Sequence, residues 1–254
     1  MSDQEAESPK LIRLGDGFHL RQAIDNIAWM DLGDGLLVVD ALEQAELEGE
    51  ILAAIESTCP AKTVRYVLNT HTHYDHVALN DAFARRFSAQ IVNQDVSSLP
   101  PQGRWFRGPL RNVHMMPAPG CHTEEDCIIL VEPDGVLFVG DIFGWGLIPL
   151  VANLRGETLR VLEDTYRRMI GLGAKTVVPG HGPLCTPAEL RRWMDYLHGL
   201  IDEAKSLCLR GQDDQEILRS LRPPADMSGW WRFLKWKHSD TATKVLKAVR
   251  NGWV

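Results

Sequence analysis

The stretch Asn69-Thr70-His71-Thr72-His73-Tyr74-Asp75-His76 holds three histidines and an aspartate within six residues. It follows directly on the run Val64 to Leu68, which reads as a buried strand. In extended chain, side chains at i and i+2 point the same way. His71 and His73 can therefore close on one metal ion. If a helix begins near Val77, Asp75 and His76 enter the same cavity from its N-terminal end and can hold a second ion. Imidazole and carboxylate suit zinc, and also iron or manganese.

Three more sites sit beside the ends of apolar runs. His122 lies in the turn Pro119-Gly120-Cys121-His122-Thr123, Asp141 in the Gly140-Asp141 pair after Val136 to Val139, and His181 in Pro179-Gly180-His181-Gly182-Pro183. A zinc site wants three or four ligands. His71, His73 and His122 would complete one site. Asp75, His76 and His181 would complete another, and Asp141 could reach both ions as a bridging carboxylate. The four other histidines, His19, His114, His198 and His238, read as structural or surface groups.

The elements that must position these groups follow from periodicity and punctuation. After a loose, polar tail over residues 1–10, Leu11 to Leu14, Phe18 to Leu20, Ile27 to Met30 and Leu36 to Asp40 read as a β-meander or a set of hairpins. Gln44 to Ser57 is a helix with Leu47, Ile51, Leu52, Ala54 and Ile55 on one face, ended by Pro60. Val64 to Leu68 is a strand, Val77 to Phe87 a helix, Gln90 to Asn93 a strand. Residues 97–111 read as a Pro- and Gly-rich loop carrying Trp105 and Phe106, which either shape a substrate pocket or fill a local core. Val113 to Met116 is a short strand. Cys127 to Glu132 and Val136 to Val139 form a hairpin around Pro133-Asp134-Gly135. The apolar segment Phe143 to Leu154, with Trp145, is by default buried, and could instead line a pocket mouth or a subunit contact. Glu157 to Ile170 is a helix, Thr176 to Val178 a strand, and from Pro187 the chain is helical, over 187–208, 213–221 and 241–250. Two halves of this kind can pack as a four-layer αββα sandwich over 11–185. The segment 186–254 is a helical extension packed on it, the whole forming a single domain.

The ordered set HxHxDH, a lone His in a G-C-H-T turn, G-D after a strand and P-G-H-G resembles the metallo-β-lactamase-fold hydrolases, over roughly residues 11–185. The resemblance implies an α/β sandwich with a dinuclear metal site, most often zinc, and hydrolysis of esters, thioesters, lactones, lactams or phosphoesters. This chain departs from many relatives in Cys121, where they carry glycine. The bridging position is Asp141 and the first motif ends in His76, where the zinc β-lactamases of drug resistance have Cys and Arg. Both point towards the glyoxalase-, lactonase- and general-hydrolase-like branches. Two cations about 3.5–4 Å apart would bring the pKa of a shared water towards about 7. Asp75 would ligate one ion and orient the bridging hydroxide for attack. A mononuclear-iron persulfide dioxygenase resembles the same motif set, and phosphodiesterases and nucleases use the same fold.

Composition narrows the partners. The 254 residues are enough for one large α/β domain or two small ones, the net charge of −7 makes nucleic acid no obvious partner of the whole surface, and the resemblance implies a small-molecule substrate. From Trp230 onward, basic residues alternate with tryptophans. Such a pattern can bind nucleic acid, but Ala242, Val245, Leu246 and Val249 give the last helix an apolar face, so a packed helix with a solvated basic side is expected. Five widely spread cysteines without a CxxC pair, and a polar N-terminus without an apolar stretch, fit a reducing cytoplasm. No run approaches a membrane span. A homodimer is compatible with these features.

Overall fold

The computed structural model describes residues 8–92, 99–149 and 153–254. In chain order it forms strands β1 (Lys10–Gly15), β2 (Phe18–Gln22), β3 (Ile27–Asp31) and β4 (Leu36–Val39), helix α1 (Glu48–Thr58), strand β5 (Val64–Leu68), helix α2 (Asn80–Phe87) and strand β6 (Gln90–Val92). Strands β7 (Arg104–Arg107), β8 (Asn112–Pro117), β9 (Cys127–Glu132) and β10 (Val136–Gly140) follow. Helix α3 (Gly156–Gly171), strand β11 (Thr176–Pro179) and helices α4 (Pro187–Leu209), α5 (Asp214–Ser220) and α6 (His238–Arg250) complete the chain.

The strands make two sheets, ordered β1-β2-β3-β4-β5-β6 and β11-β10-β9-β8-β7. Pairing is antiparallel except for β4–β5, β5–β6 and β10–β11. Alternation along the strands explains the layering. On β3, Ala28 and Met30 face the second sheet, while Ile27 and Trp29 face α1 and α2 with Ile51, Ile55 and Phe83. On β9, Cys127, Ile129 and Val131 face the first sheet, while Ile128 and Leu130 join the cluster under α3, α4 and α6. A strand buried on both faces reads as an unbroken apolar run, as β4 and β9 do. The result is a four-layer αββα sandwich. Helices α4 to α6 share their apolar cluster with the outer face of the second sheet.

Three details differ from the sequence reading. The helix expected from Val77 starts at Asn80, because Tyr74–His76 forms a separate 3₁₀ turn before it. The supposed loop 97–111 contains β7, whose Arg104, Trp105 and Arg107 point to solvent at a sheet edge. A strand that buries one residue, Phe106, carries little signal. Lys10, assigned to the tail, opens β1. Residues 1–7 of that tail, Asn93, residues 97–98 of the expected loop and residues 150–152 of the apolar segment lie outside the described residues. Among the described residues no helix is long and apolar enough to cross a membrane.

Candidate metal centre

Every candidate ligand leaves the same edge of the sandwich, at the carboxyl ends of β5, β8, β10 and β11. Ligand sites gather at such ends in α/β folds, because the loops there converge. The first loop is fixed by buried polar groups. Asp40, just past β4 and in a left-handed conformation (φ 59°), accepts from the Thr70 backbone N–H at 2.7 Å and from Thr70 Oγ1 at 2.9 Å. Its Oδ2 also lies 3.1 Å from His76 Nδ1. Asn69 Nδ2 donates to the His76 carbonyl at 2.8 Å, and Asn80 Nδ2 donates to Asn69 Oδ1 at 2.9 Å. These bonds curl the chain so that His71, His73, Asp75 and His76 converge. Gly140 closes the approach from the second sheet: a Cβ there would lie 2.6 Å from Thr70 Oγ1.

His122 is held by a different carboxylate. Asp126, 2 % exposed, accepts from the backbone N–H groups of His122 and Thr123 at 2.6 and 3.0 Å, and from Thr123 Oγ1 at 2.8 Å. Sequence reasoning passed over Asp40 and Asp126. Asp40 had a usable signal, since like Asp141 it follows an apolar strand directly.

Two groups of ligand atoms result, His71/His73/His122 and Asp75/His76/Asp141/His181, with the atoms of each within 4.8 Å of one another. His73 Nδ1 faces His122 Nε2 at 3.0 Å. Asp75 Oδ2 lies 3.2 Å from His181 Nε2. Asp141 reaches into both groups. Its Oδ1 is 3.4 Å from His76 Nε2, and its Oδ2 is 3.3 Å from His181 Nε2 and 3.7 Å from His122 Nε2. The outer nitrogens are anchored, with His122 Nδ1 2.6 Å from the Pro149 carbonyl and His181 Nδ1 3.1 Å from that of Ile24. A carbonyl only accepts, so each Nδ1 carries its hydrogen and each Nε2 is left to bind. His71 Nε2, Asp75 Oδ1, His76 Nε2 and Asp141 Oδ1 are buried without an aligned hydrogen-bond partner. Buried polar atoms are normally satisfied, so this convergent, unsatisfied set fits divalent cations.

The protonation pattern reflects the same crowding. Burial, then the neighbouring His76, pushes His71 down to about 2, a neutral imidazole. Burial alone would lower His181, but the carboxylates of Asp141 and Asp75 outweigh it and raise it to about 10. Burial would raise Asp141, yet hydrogen bonds from His181 and His76 hold it well below the usual carboxylate range. Asp75 is likewise lowered against burial by His181 and His76.

Beside the cluster opens a cavity of about 400 Å³, whose wall includes His122, Asp141 and His181 with Phe143, Leu147 and Trp231. Of the three residues weighed for a substrate pocket none is on that wall, and Phe106 and Trp145 take the alternative of filling a core. Trp105 stacks on His114 on β7 and β8, 37 % exposed, and Phe106 packs against Tyr66 between the sheets. Trp145 is buried against Phe143 and Trp230. Helix α6 buries Ala242, Val245 and Leu246 and leaves Lys247 and Arg250 exposed, the packed helix with a solvated basic side that was expected, and the difference lies just before it. Lys237 is 3 % exposed and lines the cavity with Arg232, Trp236 and Lys244 instead of facing solvent. Cys121 packs in the outer core, where burial raises its thiol to about 12. Tyr74 is exposed, and His19, His198 and His238 lie against Trp29, Glu163 and Tyr196, away from the cluster.

The chain has the metallo-β-lactamase fold. Residues 24–115 match the model of the metallo-beta-lactamase superfamily. A hydroxyacylglutathione hydrolase of Chromohalobacter salexigens is 30% identical over 178 residues, 64% of this chain and 60% of that protein. The match thus spans about three fifths of the relative's length. Among solved structures, a metallo-beta-lactamase from Pontibacter korlensis superimposes with TM-score 0.57 at 18% identity, covering 74% of this chain and 98% of that one. A stereoselective inverting sec-alkylsulfatase from Pseudomonas sp. gives TM-score 0.70 at 14% identity, covering 94% of this chain and 50% of its own.

Proposed function

We propose that the chain is a dinuclear metal-dependent hydrolase that cleaves an ester, thioester, lactone or lactam bond of a small molecule, with two zinc ions as its natural complement. The observation that carries this reading is the position of Asp141, whose two oxygens face both ligand groups at once. A carboxylate so placed suits a pair of cations sharing one ligand better than two separate sites. His71, His73 and His122 would hold one ion, and Asp75, His76 and His181 the other. Bound there, the ions supply Lewis acidity and an acidified water. The chain's own residues do the rest. Asp75 keeps one oxygen on the His181 side, while its buried Oδ1 is free to accept a proton and orient a nucleophilic water. The apolar wall of Phe143, Leu147 and Ile148 excludes bulk water and seats the substrate's body. No serine or cysteine nucleophile is required. Free thiols at all five cysteines suit a reducing cytoplasmic setting, and a small-molecule substrate suits the cavity's size.

The test is metal content of the purified chain together with turnover of ester, thioester, lactone and lactam substrates. About two zinc ions per chain, with turnover abolished in His73→Ala and Asp75→Ala, is the expected result. One iron per chain, with oxygen uptake on thiol persulfides, would replace the hydrolase by an oxidoreductase.

A further inference from the structure

The cavity beside the metal cluster carries cations that the proposed hydrolysis does not use. Lys237 Nζ donates to the Gly144 carbonyl at 2.7 Å, which occupies one of its three N–H groups. Among the described residues no carboxylate lies within ion-pair distance of Lys237 or Arg232. Both instead stand over the indole of Trp231, the ammonium 4.2 Å and the guanidinium 4.5 Å from its centroid. Lys244, also on the wall, is paired with Asp240 at 2.8 Å. A cation this deep with no directly paired carboxylate, the charge of Asp141 reaching it only at longer range, is rare, because desolvation disfavours it. A π-helical turn, Phe233–Lys237, brings Lys237 inward, and Arg232 just before it takes a left-handed conformation (φ 55°). Such turns and strained positions recur at ligand sites.

The platform is locked to the metal loop. Gly182 follows His181 directly, and a Cβ there would lie 2.6 Å from the Trp231 ring. Gly146 likewise leaves room for Phe233, whose Cδ2 would be 2.4 Å from a Cβ. The indole carrying both cations therefore rests on the loop that presents His181. Apolar residues of the same wall include Ile24, Leu147, Ile148 and Pro149.

We propose that this cavity is an anion subsite: Lys237, with Arg232, takes a carboxylate, sulfonate or phosphate group of the substrate, while its apolar body lies along Leu147 and Ile148 towards the cluster. The substrate class is thus an anionic amphiphile rather than a neutral ester. The assignment rests on the hydrolase reading for what happens to the ligand, but the binding itself does not depend on turnover.

The experiment is calorimetric titration of the 254-residue, metal-loaded chain with 1-hexanesulfonate, hexanoate and hexyl phosphate, and with neutral hexanesulfonamide as control. Wild type is expected to bind at least one anion, more weakly as salt rises. Lys237→Met should weaken that binding about tenfold or more, Lys237→Arg should retain it within a few-fold, and the sulfonamide should bind both alike. The preferred anion among the three identifies the headgroup. Anion binding equal in wild type and Lys237→Met, or no anion binding by wild type, overturns the subsite. Should Lys237→Met fail to fold, Arg232→Gln carries the same comparison, with weakening of about threefold expected and no change overturning the proposal. Lys237-dependent binding by a protein that turns over no ester or lactone would leave the subsite standing and sink the hydrolase alone.

Discussion

His73 Nδ1 and His122 Nε2 face each other at 3.0 Å, although 49 residues separate them in the chain. Two imidazole lone pairs at that distance repel unless a proton or a cation lies between them. His71, packed edge-on against both rings, completes the set. His122→Ala should therefore remove one metal equivalent per chain and lower turnover by more than about 100-fold. Metal analysis after gel filtration checks the first part. Two equivalents in the variant would show that this trio is not a site.

Asp40 touches no proposed ion but orients Thr70 and His76. Asp40→Asn keeps the shape and loses the charge beside His76. We expect metal affinity to fall by about 10–100-fold with little change in the folded structure, as for other groups that orient metal-binding histidines. Competition with a chromogenic chelator measures it. Unchanged affinity would reduce Asp40 to a loop-closing residue.

Metal uptake should release protons. Burial would make His181 more acidic, but Asp141 and Asp75 override it and the side chain titrates at about 10, so below that pH it is a protonated imidazolium without metal. A ligand must be neutral, so the ion displaces that proton. Asp75 and Asp141, held below the ordinary range, contribute none. Affinity should rise about tenfold per pH unit for each proton released between about pH 6 and 9. Titration in weakly buffered indicator solution shows the release directly, and a pH-independent affinity would contradict it.

Gly182→Ala is predicted to disrupt the platform. The residue sits at φ +80° and its new methyl would meet the Trp231 ring. Steric and backbone effects together should cost about 2–3 kcal/mol, read as a lower thermal midpoint and altered tryptophan fluorescence. Wild-type values for both would mean that the loop and indole are not in contact.

Lys237 should carry a stability cost. Burial, then Arg232, lowers its titration from 10.5 to about 7, so the fold holds this proton more weakly than the unfolded chain does. The penalty is absent above about pH 10.5, grows as the pH falls, and is complete below about pH 7. Lys237→Met should stabilise the protein at pH 7 by about 2 kcal/mol, after the lost Gly144 hydrogen bond is counted, and the gain should vanish at high pH. Denaturant midpoints across pH test this, and a destabilised variant at every pH would mark a purely structural lysine.

Much of the centre was legible in the chain. The i, i+2 spacing of His71 and His73 needs only extended backbone to be read, and His122, Asp141 and His181 announce themselves as polar residues beside apolar runs. Long periodic elements such as α3 and α4 were legible for the same reason, since burying one face leaves a regular pattern. Strand β7 was not, because an edge strand buries only Phe106.

The sequence by itself determined which side chains could hold metal and in what order they arrive, because ligand chemistry is a property of residue type and local spacing. Only the tertiary structure decided what surrounds them. Asp40 and Asp126 are ordinary acids until the fold takes water away from them. Trp105 and Phe106 go to the sheet edge and the inter-sheet core, and Lys237 leaves solvent for the cavity wall. Those outcomes depend on contacts between segments far apart in the chain, such as Gly182 with Trp231 and Gly144 with Lys237, where no local pattern records the partner.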